Sequence, residues 1–123
     1  MPDHQPKKGA GFCHIEIPAP DLDKSVRFYQ NVFNWKEVIF EGFEGYWFFS
    51  TENIGGALVK HIKPCSYGVI LVIRVDDVAE TLCLIEQEGG IIQEGKKELT
   101  DYRGYYAYFS DPNGNTLGIW SEK

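Results

Sequence analysis

The sequence predicts an α+β fold: two βαβββ modules in tandem, their strands forming a cupped mixed sheet. Three observations predict it. Asp21 and Asp77 each follow an apolar strand-like segment and precede an apolar stripe at helical spacing, as helix N-caps do. Each helical stretch is then followed by three short strand candidates punctuated by glycine or turn residues. Laying Asp21 over Asp77 sets Ser25 on Thr81 and Val26 on Leu82, so element order and hydropathy repeat although residue identity between the halves is low.

In chain order, Phe12–Ile17 alternates as a strand and Pro18-Ala19-Pro20 interrupts it. From Leu22 a helix presents Leu22, Val26, Tyr29 and Phe33 on one side. Trp35–Glu41, Tyr46–Thr51 and Ala57–His61 read as strands, and His61–Ser66, with Pro64, as a linker. The order then restarts. Tyr67–Val75 is a strand, Val78, Leu82 and Ile85 form the second helical stripe, and Gly89-Gly90 stops it. Ile91–Glu94, Tyr105–Ser110 and Thr116–Ser121 complete the set, with Asp111-Pro112-Asn113-Gly114 as the last turn. Residues 1–10 read as a disordered lead and residues 11–122 as one domain, with modules at about 11–61 and 67–121.

Composition narrows the function. A chain of 123 residues is one ordinary domain. The net charge of −6 gives no basic face for phosphate binding, which excludes a nucleic-acid partner. No apolar run reaches the roughly 18 residues of a membrane span. Cys13, Cys65 and Cys83 are odd in number and widely spaced, which fits a reducing cytoplasm and gives no disulfide framework or zinc motif. Cys83, inside the second helical stretch, is expected to pack in the core.

A helix covers one face of each module's sheet and leaves the other bare. Joined edge to edge, the two bare faces make a concave trough where a small ligand would sit. Side-chain alternation assigns the faces. Ile15, Ile17, Leu71, Ile73, Val75, Leu117 and Ile119 belong to the helix side. The opposite parity sends His14, Glu16, Ile70, Val72, Arg74, Thr116, Gly118 and Trp120 to the trough. Tyr106 and Tyr108 join them, because Ala107 reads as helix-side packing; Tyr46 with Phe48 and Trp47 with Phe49 are nearly even choices, and Tyr46 and Phe48 are taken. Gly118 is expected to open space for an organic ligand. Arg74 either anchors an anionic group or lies extended at a strand end. Walls of this kind suit a planar or aromatic ligand with one or two polar groups; filling a small core or a dimer seam is the competing role.

The chain resembles the glyoxalase, bleomycin-resistance and ring-cleaving dioxygenase superfamily, the vicinal oxygen chelate proteins. The resemblance rests on His14–Ile17, Asp21–Tyr29, Val32–Trp35, Gly55-Gly56, Val75–Val78, Gly89-Gly90 and Asp111–Asn115, and it spans about Gly11 to Ser121. Within the superfamily it is most similar to the branch related to lactoylglutathione lyase. That implies a glyoxalase-like fold, a small-molecule ligand and a homodimer whose trough forms within one chain or between two. It also implies a question about metal, because in metal-dependent members four strand positions supply His and Glu to one divalent ion.

By that resemblance His14 holds the first-strand ligand position, but Val69 or Ile70, Gly118 and the stretch from Gly55 to Lys60 offer no ligand at the other three. No metal or other cofactor is therefore expected, and a divalent ion is disfavoured. His14 and Glu16 share a strand face. They are a hydrogen-bonded polar pair, or a general base (Glu16) with its partner or ligand anchor (His14), or two ligands of a metal completed by substrate or water. His4 and His61 are a tail and a linker residue. Three functions stay open: a lyase- or isomerase-type enzyme without the usual metal site, a drug-sequestering protein without turnover, and a sensing or structural module.

Overall fold

Two aspartates start the two helices. In the computed structural model, which describes residues 12–66, 68–100 and 103–123, helix α1 (Leu22–Phe33) begins where the Asp21 carboxylate accepts the Lys24 amide at 3.3 Å. Helix α2 (Val78–Gln87) begins where Asp77 accepts the Glu80 amide at 3.2 Å. Each cap satisfies an amide that a helix N-terminus leaves without an intrahelical partner. At its far end α1 stops at Asn34, whose backbone is left-handed (φ 58°) and whose amide donates to the Gln30 carbonyl at 2.9 Å. Asparagine tolerates that conformation better than most side chains.

The first module adds β1 (His14–Pro18), β2 (Lys36–Val38), β3 (Tyr46–Ser50) and β4 (Gly55–Val59). The second adds β5 (Val72–Arg74), β6 (Ile91–Glu98), β7 (Tyr105–Ser110) and β8 (Thr116–Ser121). The strands form two four-stranded mixed sheets of the same topology, β1-β4-β3-β2 and β5-β8-β7-β6. In each, the first strand runs parallel to the last and the other pairs are antiparallel. Among the described residues, no strand of one sheet is hydrogen-bonded to a strand of the other.

Strand boundaries differ from the expected ones: the interior strand β4, expected over Ala57–His61, runs Gly55–Val59, and the larger differences are at sheet edges. The second module's first strand, expected over Tyr67–Val75, is reduced to Val72–Arg74, in register with Gly118–Trp120 of β8, with single bonds from the flanking Leu71 carbonyl and Val75 amide to the same strand. Tyr67 lies outside the described residues, as do the 1–10 lead, His4 and Tyr102. Conversely, β6 runs on past Glu94 to Glu98 with two register shifts against β7. Its sequence there, Gly95-Lys96-Lys97-Glu98, carries no apolar alternation, and pairing with β7 alone makes it a strand; charged residues are common on such edges.

The modules meet through their helix sides. Ile17, Trp47, Phe49 and Leu58 of the first sheet share one apolar cluster with Ala107, Phe109, Leu117 and Ile119 of the second, and Phe28, Tyr29, Leu82 and Ile85 of the helices lie within it. Cys83 is not part of it. It is exposed, because α2 buries the stripe Val78, Thr81, Leu82 and Ile85, and helical rotation turns position 83 off that stripe. Burial of this cluster is the main favourable term for the fold.

A polar lock closes one side of the contact between modules. The buried Asp111 carboxylate accepts the Tyr29 hydroxyl at 2.8 Å, the Asn115 side-chain amide at 2.8 Å, and the backbone amides of Asn113 and Asn115, each at 2.9 Å. Asn115 also donates to the Pro18 carbonyl at 2.6 Å, and Asn113 accepts the Asp21 amide at 2.9 Å while donating to the Asp21 carbonyl at 3.1 Å. The turn recognised in the sequence is thus also a clamp on the start of α1. Burial, then the charge and hydrogen bond of Asp111, raises the Tyr29 hydroxyl well above its ordinary pKa.

Candidate functional site

Pairing register places the candidate residues in rows on the two helix-free faces. On the first sheet, His14 lies beside Gly55 and Ser50, Glu16 beside Ala57 and Phe48, and Pro18 beside Val59 and Tyr46. On the second, Val72 lies beside Gly118 and Tyr108, and Arg74 beside Trp120 and Tyr106. Trp47, Phe49, Ala107 and Phe109 are buried on the helix side, which sends Tyr46, Phe48, Tyr106 and Tyr108 to the other face, where each is half-buried.

Within the first face the residues touch. His14 Nε2 and Glu16 Oε2 are 3.3 Å apart, with side chains 43% and 42% exposed. Tyr46 and Phe48 stack at 5.6 Å, and Phe43 and Phe40 from the β2–β3 connection stand edge-on against Phe48. The result is a carboxylate and an imidazole beside a wall of aromatic rings, with one end wet and the other apolar.

The second face departs from expectation at Gly118, and at Arg74 it takes the strand-end role of the two that were open. Gly118 offers no open space: a β-carbon there would sit 3.0 Å from the Tyr108 ring and 3.3 Å from a Val72 methyl, and the residue is buried. The Tyr108 ring takes the room that the missing side chain leaves, an aromatic covering a glycine across the strand pair. Arg74 is neither buried nor awaiting an anion. Its guanidinium is paired with Glu52, from the β3–β4 turn of the other module, and both side chains are largely exposed. Tyr106 and Tyr108 meet edge to face at 5.7 Å, and Trp120 donates its indole N–H to the Arg103 carbonyl at 3.2 Å. Ile70 precedes β5 in irregular backbone and is exposed.

The chain brings eleven of the twelve residues assigned to the trough together as two groups, one per sheet, and Ile70 lies outside both. Because the helix sides of both sheets share one core, the helix-free faces point away from it and are not joined along an edge. Of the twelve, Val72 and Arg74 border a cavity of about 930 Å³ between the modules, lined mainly from the helix side. Sequence reasoning did not reach that cavity, nor the Glu52 partner of Arg74.

The donor set does not fit the metal centre that the fold family implies. Among the described residues no three His, Cys, Asp or Glu side chains gather into a group that could hold an ion. On the strands flanking His14 and Glu16 the same face presents Gly55, Ala57, Ser50 and Phe48, and a resident divalent ion needs further imidazole or carboxylate ligands.

Two four-stranded mixed sheets of one topology, each with its helix, define a class of paired-module α+β proteins. The chain belongs to the Glyoxalase/Bleomycin resistance protein/Dioxygenase superfamily, whose family model matches residues 11–119. Among curated proteins none matches the sequence significantly. Solved structures share the fold at low identity. A glyoxalase/bleomycin resistance protein/dioxygenase family enzyme from Burkholderia phytofirmans PsJN superposes with a TM-score of 0.77 at 18% identity, over 89% of this chain and 97% of that one. TnmS3, an antibiotic binding protein from Streptomyces sp. CB03234, gives 0.73 at 20% identity over 95% and 100%. A lactoylglutathione lyase from Agrobacterium tumefaciens gives 0.68 at 19% identity over 93% and 95%. No helix among the described residues is long and apolar enough to cross a membrane.

Proposed function

We propose that this protein binds a planar or aromatic organic molecule on its helix-free sheet faces, without a resident metal, in a trough completed by a second copy of the chain. The observation that carries the reading is the His14–Glu16 pair at 3.3 Å, set beside the stacked Tyr46 and Phe48 on a face no helix covers. Aromatic walls with a few polar tips hold a flat ligand by stacking and fix its orientation by hydrogen bonds. The second copy is supported by the β5 edge. Val69 is 92% exposed and Val72 55%, and an unpaired strand edge flanked by exposed apolar side chains is a surface that a partner would cover. An isologous dimer would bring the first face of one protomer beside the second face of its partner.

Sequestration without turnover, of the kind the name of the Streptomyces antibiotic binding protein describes, is the form of binding that these walls favour. The catalytic form, a lyase- or isomerase-type reaction, is supported by one feature. Glu16 is a carboxylate in reach of both His14 and the trough, placed to take a proton as general base while His14 hydrogen-bonds the ligand. A single set of measurements decides between them. Flat aromatic compounds are screened by thermal shift on the wild type, and hits are assayed for turnover with wild type and Glu16→Gln. A raised Tm without turnover, reduced in Tyr46→Ala, supports sequestration. Turnover lost in Glu16→Gln with affinity kept supports catalysis. Hits whose binding ignores Tyr46→Ala, Phe48→Ala and Tyr106→Ala alike would overturn the trough itself.

A further inference from the structure

The two contacts between modules ought to be alike, since the modules share one topology, but they are not. On one side, Tyr29 and the Asp111 turn lock together. Overlaying the modules puts Ile85 of α2 where α1 has Tyr29, and Thr51 where the second turn has Asp111. Ile85 has no hydroxyl to donate. The Thr51 hydroxyl is spent inside its own turn, donating to the Ile54 carbonyl at 2.6 Å and accepting the Ile54 amide at 3.1 Å. Among the described residues no hydrogen bond on that side matches those of Asn113 and Asn115, and there the 930 Å³ cavity opens between the modules.

We infer that this cavity is a second ligand site, distinct from the sheet faces, for a flat aromatic molecule carrying a positive charge. Its volume is within the usual range of small-molecule pockets, roughly 300–1,000 Å³. The floor is apolar, formed by Ile15, Ile17, Leu71, Ile73 and Leu117, and Ile15, Leu71 and Ile73 are only partly buried. Apolar surface left facing water in a concave site gains free energy when a ligand covers it. One wall is flat: Trp35 stacks on Phe49 at 4.2 Å, with 16° between the planes, and both border the cavity. That surface selects a planar ring system.

Charge at the mouth selects the sign. Four carboxylates border the cavity, Glu52, Asp76, Asp77 and Glu80, against two cations, Lys36 and Arg74. Glu52 and Arg74 neutralise each other, and Asp77 is engaged in capping α2. Asp76 and Glu80, both exposed, are left to meet a ligand cation, opposed by Lys36 alone. An aromatic cation gains from this rim, and an aromatic anion is repelled. The site is separate from the trough, because its apolar floor and its aromatic wall come from the other face of both sheets, with Val72 and Arg74 of the β5 edge at the border between the two.

The test uses 9-aminoacridine, a flat aromatic cation at neutral pH, with anthracene-9-carboxylate as the anion of similar shape, titrated by fluorescence against the whole protein. Leu84→Trp, at a mouth position already 37% exposed, narrows the entrance without disturbing the core. The double variant Asp76→Lys, Glu80→Lys reverses the rim. We expect saturable binding of the cation, weakened about tenfold or more by each change, unaltered by Tyr108→Ala, and at least about tenfold tighter than binding of the anion. Melting curves establish that each variant is folded. Absence of saturable cation binding, indifference to Leu84→Trp and to the rim reversal, or loss of binding in Tyr108→Ala would each overturn the assignment. The last would move the probe to the sheet face and leave the trough reading standing.

Discussion

The hydroxyl of Tyr29 on α1 donates to the carboxylate of Asp111 at the β7–β8 turn, 2.8 Å away and 82 residues along the chain. Both groups are out of water, and the bond joins the two modules at a point where neither can be solvated instead. An unmade hydrogen bond at such a place costs more than a made one contributes in water. Tyr29→Phe is therefore expected to lower stability by about 1–3 kcal/mol, read as a shift in urea midpoint with unchanged slope. Asp111→Ala, which strands two backbone amides and two side-chain donors, is expected to cost more.

The same pair makes stability fall in alkali. The pKa of Tyr29 is raised in the folded state, by burial first and then by the Asp111 charge and hydrogen bond. A raised pKa means the folded protein holds this proton more tightly than the unfolded chain does. Its contribution is complete below an unfolded value of about 10 and is lost as pH climbs from there through the folded value. Urea melts between pH 9 and about 11 should show wild-type stability dropping by up to about 1.4 kcal/mol per pH unit from this group. In Tyr29→Phe that component is absent, so the gap between the two proteins narrows.

Two glycines on the sheets predict opposite outcomes from the same substitution. A β-carbon at Gly56 would lie 2.1 Å from the Ile15 carbonyl oxygen, on the backbone of the paired strand β1. Backbone in a ladder cannot give way, so Gly56→Ala is expected to cost about 3 kcal/mol or more. At Gly118 the nearest atoms belong to the half-buried Tyr108 ring, 3.0 Å away, and a ring can swing. Gly118→Ala is expected to cost about 1 kcal/mol, and less in a Tyr108→Ala background, a coupling that a double-mutant cycle measures.

The Arg74–Glu52 pair bridges the modules as Tyr29–Asp111 does, but in water. With side chains 64% and 73% exposed, it is solvated on both sides of the unfolding equilibrium. Glu52→Gln is expected to change stability by less than about 1 kcal/mol, and less still at high salt.

Metal addition discriminates the proposed chemistry from that of metal-dependent relatives. With two neighbouring donors and no third among the described residues, nickel, zinc or manganese should leave Tm unchanged, and chelator should do the same. Stoichiometric retention of any of these ions after dialysis, with a raised Tm, would contradict the metal-free reading.

Much of this was legible because it is local. The caps at Asp21 and Asp77, the turn at Asp111–Gly114 and the alternation of Tyr105–Ser110 are written in neighbouring residues, and each element they predict is present. Parity showed which residues share a face, but for β3 the choice between Tyr46 with Phe48 and Trp47 with Phe49 was nearly even, and burial of Trp47 and Phe49 decides it. Edge strands were less legible. Nothing in Lys96-Lys97-Glu98 marks a strand, and the length of β5 depends on how far β8 runs beside it. Gly118 misled for a related reason: what fills a missing side chain is decided by the cross-strand neighbour.

By itself, the sequence determined the order of elements, the helix starts and which side chains share a face, because periodicity and capping are properties of residues adjacent along the chain. The tertiary structure alone decided that the modules join through their helix sides, that Tyr29 and Asp111 lock one contact, and that Ile85 and Thr51 leave the other open. Those outcomes depend on which distant groups meet and whether their polar atoms find partners once water is excluded, and no local pattern encodes that meeting.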